Sequence, residues 1–171
     1  MDVKVTYQDT EQGMVAYLTT PSFQFSFLIG KGDLKAVAEP GVNIWSVERN
    51  GIQWWIEVLL TPIPEEMVAM PATEILKSHR FWDLDTQVRS FGKGLIKGTM
   101  GFGQFPTGEP FAVWCTEFVD NQNQSRETAH ATTMQGGHVI VYIVQGIGAG
   151  VSRDMLRMKG MRVILSMFRH T

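Results

Sequence analysis

The clearest pattern in the chain is the alternation across residues 44 to 60, IWSVERNGIQWWIEVLL, broken once by Asn50-Gly51. Alternating apolar and polar positions describe a strand with one buried face. Asn-Gly is the preferred central pair of a two-residue type I′ hairpin, because both residues tolerate positive φ. The turn pairs Arg49 with Ile52, which puts Trp45, Val47, Ile52, Trp54, Ile56 and Val58 on one face and Ser46, Glu48, Gln53, Trp55 and Glu57 on the other. Earlier, VKVTY at residues 3 to 7 and SFQFSFL at residues 22 to 28 alternate in the same way, with Phe23, Phe25 and Phe27 on a common face.

After the hairpin the period changes. In TPIPEEMVAMPATEILKSHRFWD, Pro64 suits a first helical turn, Glu65 and Glu66 suit a helix N-terminus, and Val68, Ala72, Ile75, Leu76 and His79 recur at helical spacing. This predicts a helix from Glu65 to Arg80, kinked or restarted at Pro71. Strands return in VRSFGKGLIKGTMGFGQF, PFAVWCTEFV, RETAHATTM and HVIVYIVQ, the last two joined through Gln135-Gly136-Gly137, with DNQNQS at residues 120 to 125 as a polar turn. The closing segment SRDMLRMKGMRVILSMFRHT has Ser152 as N-cap and Asp154 in its first turn, and Met158, Met161, Leu165 and Phe168 form an apolar stripe. Gly160 weakens that helix, and residues 162 to 168 also read as a strand. Together these predict an α+β fold: an antiparallel sheet built from hairpins and a meander, flanked by a mid-chain helix and a C-terminal helix.

Length and composition narrow the picture. A chain of 171 residues with no repeat or linker is expected to form a single α+β domain over residues 1 to 171. Fifteen Lys and Arg against seventeen Asp and Glu, evenly mixed, argue against a nucleic-acid partner. No apolar run approaches the ~20 residues of a membrane span, so a soluble protein is expected. It is cytoplasmic if Met1 is the native start, and periplasmic or exported if a leader was removed. Cys115 is the only cysteine, which excludes an internal disulfide and a thiolate metal cluster.

Several segments invite a chemical reading. Gly146-x-Gly148-x-Gly150 follows an apolar strand and precedes a helix, as a dinucleotide-binding turn does, but the third glycine position is Val151 and the surroundings are hairpins, not alternating strands and helices. A flexible exit from strand to helix is the better reading. Six glycines from Gly92 to Gly108 fail the P-loop pattern, since Gly92-Lys93 is followed by Gly94. His130 and His138 share a hairpin at a separation too long for one zinc ion, His79 reads as a boundary residue and His170 as part of a frayed tail. Cys115 reads as a buried, inert thiol, and no serine or carboxylate pair has a catalytic context. No catalytic, cofactor-binding or metal-binding residue is assigned, and no cofactor is expected.

The order of elements, with AVWCTEFV, the QGG hairpin, HVIVYIVQ and a closing helix in residues 110 to 168, resembles the PsbP-like superfamily of extrinsic photosystem II subunits and their bacterial relatives. The resemblance implies a non-enzymatic module that binds or assembles through protein contacts, with an unidentified protein partner. A carrier of an apolar small molecule, with a pocket between sheet and helix, ranks second, and an enzyme with an unrecognised site third. One residue stands out as a partner-binding candidate: Trp55, placed by the hairpin register on the polar face, either anchors a partner or lies beneath the helix that follows.

Overall fold

The computed structural model describes residues 3–37, 43–91, 96–97, 100–119, 125–148 and 150–170. Its strands are β1 (Lys4–Thr10), β2 (Gly13–Thr19), β3 (Gln24–Gly30), β4 (Asp33–Val37), β5 (Ile44–Arg49) and β6 (Ile52–Pro62), followed by a 3-10 turn (Glu65–Met67) and helix α1 (Ala72–Phe91). Then come β7 (Ile96–Lys97), β8 (Gly101–Gln104), β9 (Pro110–Val119), β10 (Ser125–Gln135), β11 (His138–Ile147), helix α2 (Arg153–Leu165) and β12 (Phe168–His170). The strands divide between two sheets. The smaller has the order β1-β2-β3-β12, and the larger has the order β4-β5-β6-β11-β10-β9-β7, with β8 also on β9. Every strand pair is antiparallel.

Turn chemistry sets the registers. Asn50 and Gly51 take φ of 55° and 73°, and Arg49 pairs with Ile52 as expected. Gly136 and Gly137, at φ of 55° and 74°, do the same between β10 and β11, where Gln135 pairs with His138. The expected core face of the first hairpin follows: Trp45, Val47, Ile56 and Val58 are buried, and Trp54 packs against the same core. Phe25, Phe27 and Ile29 of β3 meet that face from the smaller sheet, with Phe27 edge-on to both Tyr142 (5.0 Å) and Trp45 (5.4 Å). The Trp45 indole donates to the Tyr7 hydroxyl at 2.8 Å, which ties the edge of the smaller sheet to the larger.

Both helices differ in detail from the sequence expectation. Pro71 separates the 3-10 turn from α1, so the helix starts at Ala72 and runs on to Phe91, through residues that read as a strand, while Val68 is exposed. In α2 the Ser152 hydroxyl accepts from the Met155 amide as an N-cap does, but the buried face is Leu156, Gly160, Val163 and Ile164. Met158 and Leu165 of the expected stripe are exposed, and Phe168 lies beyond the helix, paired in β12 with Ser26. His170 belongs to the same strand, opposite Gln24. The reason is Gly160, which lets α2 approach β10: a Cβ there would sit 3.5 Å from the Ala129 methyl and 3.9 Å from that of Ala131.

Those distances are ordinary van der Waals contact, so the site has room for one methyl group and no more. Gly160→Ala should therefore gain most of the ~1 kcal/mol that alanine holds over glycine in a helix, raising the thermal midpoint by about 2 to 4 °C. Gly160→Leu should cost about 1 to 3 kcal/mol by overpacking. Thermal unfolding checks both signs.

Candidate functional site

Helix α1 presents Ile75, Leu76, His79, Asp83 and Leu84 inward at helical spacing, and it packs against β9 and β10. Ile75 and Leu76 meet Ala112, Trp114, Val139 and Val141 in a second apolar core on the face of the larger sheet that points away from the smaller one. Polar groups lie within this core. His130 Nδ1 is 3.3 Å from the Asp83 carboxylate and its Nε2 is 3.2 Å from the Thr116 hydroxyl. The ring also stacks on Trp114 with centroids 5.2 Å apart and planes within 5°. The ring lies between the carboxylate and the hydroxyl, and Nε2 shares a hydrogen bond with the Thr116 hydroxyl whose direction depends on the tautomer. Carboxylate, imidazole and hydroxyl thus stand in the order of a hydrolytic triad. Burial decides against that use: Thr116 is 2% exposed and His130 1%. Burial, with His79 adding a smaller effect, pushes the His130 imidazole down to about 3, so it is neutral at pH 7.

One turn earlier on α1, His79 lines an open cleft of about 180 Å³. Its walls include Pro62 at the end of β6, Ile63 just beyond it, Met67 of the 3-10 turn, Ile75 and Trp82 of α1, and Val139 of β11. The lining is mostly apolar, with Thr61, Ser78 and the imidazole as its polar members. His79 is 8% exposed, neither ring nitrogen has a hydrogen-bond partner, and burial lowers its pKa to about 4. The Trp82 ring stands 5.7 Å from it and remains 58% exposed; Phe81 beside it is 67% exposed.

Trp55 sits on the same face of the larger sheet as this cleft, opposite Ser46 on one side and Gln145 on the other. It is partly buried and walls a hollow of about 80 Å³ with Ile44, Glu57, Ile143 and Gln145. Its indole nitrogen is buried without a hydrogen-bond partner, and burial raises the Glu57 carboxyl above its usual range. Leu59, between the hollow and the cleft, is 39% exposed.

The other sequence candidates are scattered. His130 and His138 pair with Ile143 and Gln135 respectively, five residues apart along β10, and among the described residues no three His, Cys, Asp or Glu side chains gather as metal ligands. The His79–His130–Asp83 cluster escaped the sequence reading because it joins a helix to a strand some 50 residues away, with no local spacing to mark it. Gly146 lies against the Trp54 ring, and a Cβ at Gly148 would come within 2.8 Å of the Gly51 carbonyl oxygen. Those glycines let β11 pass the tip of the first hairpin. Cys115 is buried, and burial raises its thiol pKa. Gly92, Gly94 and Gly98, with Lys93, lie outside the described residues, as do residues 120 to 124 of the polar turn. Among the described residues no helix is long and apolar enough to cross a membrane.

No family model and no curated protein matches the chain. Its fold is similar to the solution structure of cyanobacterial PsbP (CyanoP) from Synechocystis sp. PCC 6803, with a TM-score of 0.55 over 97% of this chain and 92% of that one. Sequence identity is 14%, so the likeness is one of fold. The architectural resemblance read from the sequence is thereby borne out.

The buried histidines predict an acid sensitivity. The folded pKa of His79, about 4, lies below the ~6.5 of an unfolded histidine. The native state therefore binds fewer protons than the unfolded state, and stability is complete above about pH 6.5 and declines as pH falls toward 4. Over the step from pH 7 to pH 5 this one group removes about 2 kcal/mol. His79→Leu should show a correspondingly smaller loss of stability over the same step in urea unfolding, and equal losses in both proteins would contradict the assignment.

Proposed function

We propose that this protein is a non-enzymatic binding module that recognises a protein partner along the β6–β11 strip of its larger sheet, beside α1. The observation that carries the reading is the exposure of Trp82, Phe81 and Leu59 around an apolar cleft. Large apolar side chains grouped in this way mark contact surfaces, and tryptophan is enriched where a few residues supply most of the binding energy. The strip has an anchor point at each end. The cleft beside Trp82 and the hollow beside Trp55 are separated by the six residue steps from Trp55 to Thr61, about 20 Å of strand. Trp55 keeps its place in this reading as a second, less exposed contact.

The size of the cleft favours a protein side chain over a carried ligand. Sites for drug-sized molecules enclose about 300 to 1,000 Å³, whereas the cleft holds about 180 Å³. One large aliphatic or aromatic side chain fills such a space, and a polar atom carried with it would meet the unpartnered His79. The sealed Asp83–His130–Thr116 group supports a structural role and no hydrolytic one.

A photo-crosslinking amino acid placed at Leu59 or Trp82, with Glu11 on a distant turn as control, tests the proposal in lysate of the native host. Positions 59 and 82 should give the same discrete protein adduct and position 11 should not. Trp82→Ser should abolish the adduct at 59 while shifting stability by no more than about 1 kcal/mol, as expected for an exposed site. Adducts of equal yield at all three positions, or small-molecule adducts alone, would overturn it.

A further inference from the structure

The opposite face of the same hairpin carries a different chemistry. A cleft of about 290 Å³ opens between the β3–β4 turn, the tip of the β5–β6 hairpin and helix α2. Four cations line it: Lys31, Arg49, Lys159 and Arg162. Among the described residues no carboxylate pairs with any of them. Elsewhere on the surface basic side chains do find partners, as Arg153 does with both Glu117 and Glu127 at 2.9 Å.

Lys159 is the fixed member of the group. Its ammonium donates to the Ile29 carbonyl oxygen at 2.7 Å and lies directly over Gly30, where a Cβ would come within 3.0 Å of Nζ. The lysine is half-buried. Loss of solvent, with Arg162 and Arg49 adding repulsion, lowers its pKa to about 8. Like charges held together and partly desolvated oppose folding unless an anion offsets them. Apart from Asn50 the rest of the wall is apolar, with Trp54 and Met158 prominent.

We infer that this cleft binds a phosphomonoester whose organic body is apolar, with Lys31, Arg49, Lys159 and Arg162 around the phosphate and the Trp54–Met158 wall against the body. Phosphate suits the site better than a carboxylate because a dianion neutralises more of the converging charge and offers oxygens to several donors at once. The same group occurs on a small soluble ester and on the headgroup of phosphatidic acid.

Titration calorimetry of the whole chain separates the sources and tests the site. Hexyl phosphate should bind saturably, inorganic phosphate more weakly, and hexanol undetectably. Vesicles of phosphatidylcholine with phosphatidic acid should retain the protein, relative to phosphatidylcholine alone, if the headgroup is the natural source; binding of hexyl phosphate without retention assigns the soluble ester. Arg49→Gln and Arg162→Gln, both exposed positions, should each weaken binding about tenfold with an unchanged thermal midpoint. Lys159→Met should abolish binding, and the two arginine variants stand in for it if it fails to fold. No saturable binding to either phosphate form, or binding that the arginine substitutions leave unchanged, would overturn the inference.

Discussion

Strand β11 is apolar on both faces, and the rest of the structure follows from covering it twice. Ile140, Tyr142 and Val144 point to one core, and Val139 and Val141 to the other. A strand buried on both sides needs a layer above and a layer below. The smaller sheet and α2 supply one layer. Helix α1 supplies the other, and a helix about 10 Å across spans only about two strands at their ~4.8 Å spacing. It lies over β9 and β10, and Ile75 and Leu76 reach on to Val139 and Val141 of β11. Strand β6 lies on the far side of β11, outside that footprint, and the proposed contact strip is the consequence.

The polar groups under α1 belong to the same constraint. An apolar helix on an apolar sheet can slide, whereas the Asp83 carboxylate and the His130 imidazole meet in one register. A buried polar contact of this kind, with a neutral imidazole, contributes little net stability, because desolvation offsets the attraction, yet it penalises a shifted helix that would strand either partner. Stacking on Trp114 and the Thr116 hydroxyl restrict the imidazole further. The cluster has the parts of a catalytic centre and the burial of a positioning device, and burial determines which it is.

What could be read from the chain was local. Asn50-Gly51 and Gly136-Gly137 accept the positive φ that a tight hairpin turn requires, so both hairpins and the face assignment of Trp45, Trp54 and Trp55 were legible. β2 was not, because GMVAYLT lies mid-sheet and places apolar residues at consecutive positions without alternation. The stripe of α2 was misread because glycine has no hydrophobicity to count, although Gly160 is the residue that touches β10. The extension of α1 to Phe91 reflects tertiary packing, with Asp83 and Leu84 buried where sequence alone sees mixed polarity. Neither site was legible as a site. The cleft draws on residues from Pro62 to Val139 and the cationic group on Lys31 to Arg162, brought together only by the pairing of β6 with β11 and the docking of α2.

Trp54 and Trp55 show how closely the two surfaces are joined. They are consecutive residues of one strand, so strand geometry sends their side chains to opposite faces. Trp54 walls the cationic cleft and Trp55 the hollow at the end of the apolar strip. The strand between them is held by a tight turn on one side and by β11 on the other, from Gln53 opposite Ile147 to Pro62 opposite His138. A one-residue slip of this register would exchange the two tryptophans and lose both surfaces together. The glycines at 146 and 148 guard against that slip, because β11 passes Trp54 and Gly51 too closely for any side chain to intervene. The feature that most resembled a nucleotide-binding turn thus serves to fix the strand on which both proposed binding surfaces depend.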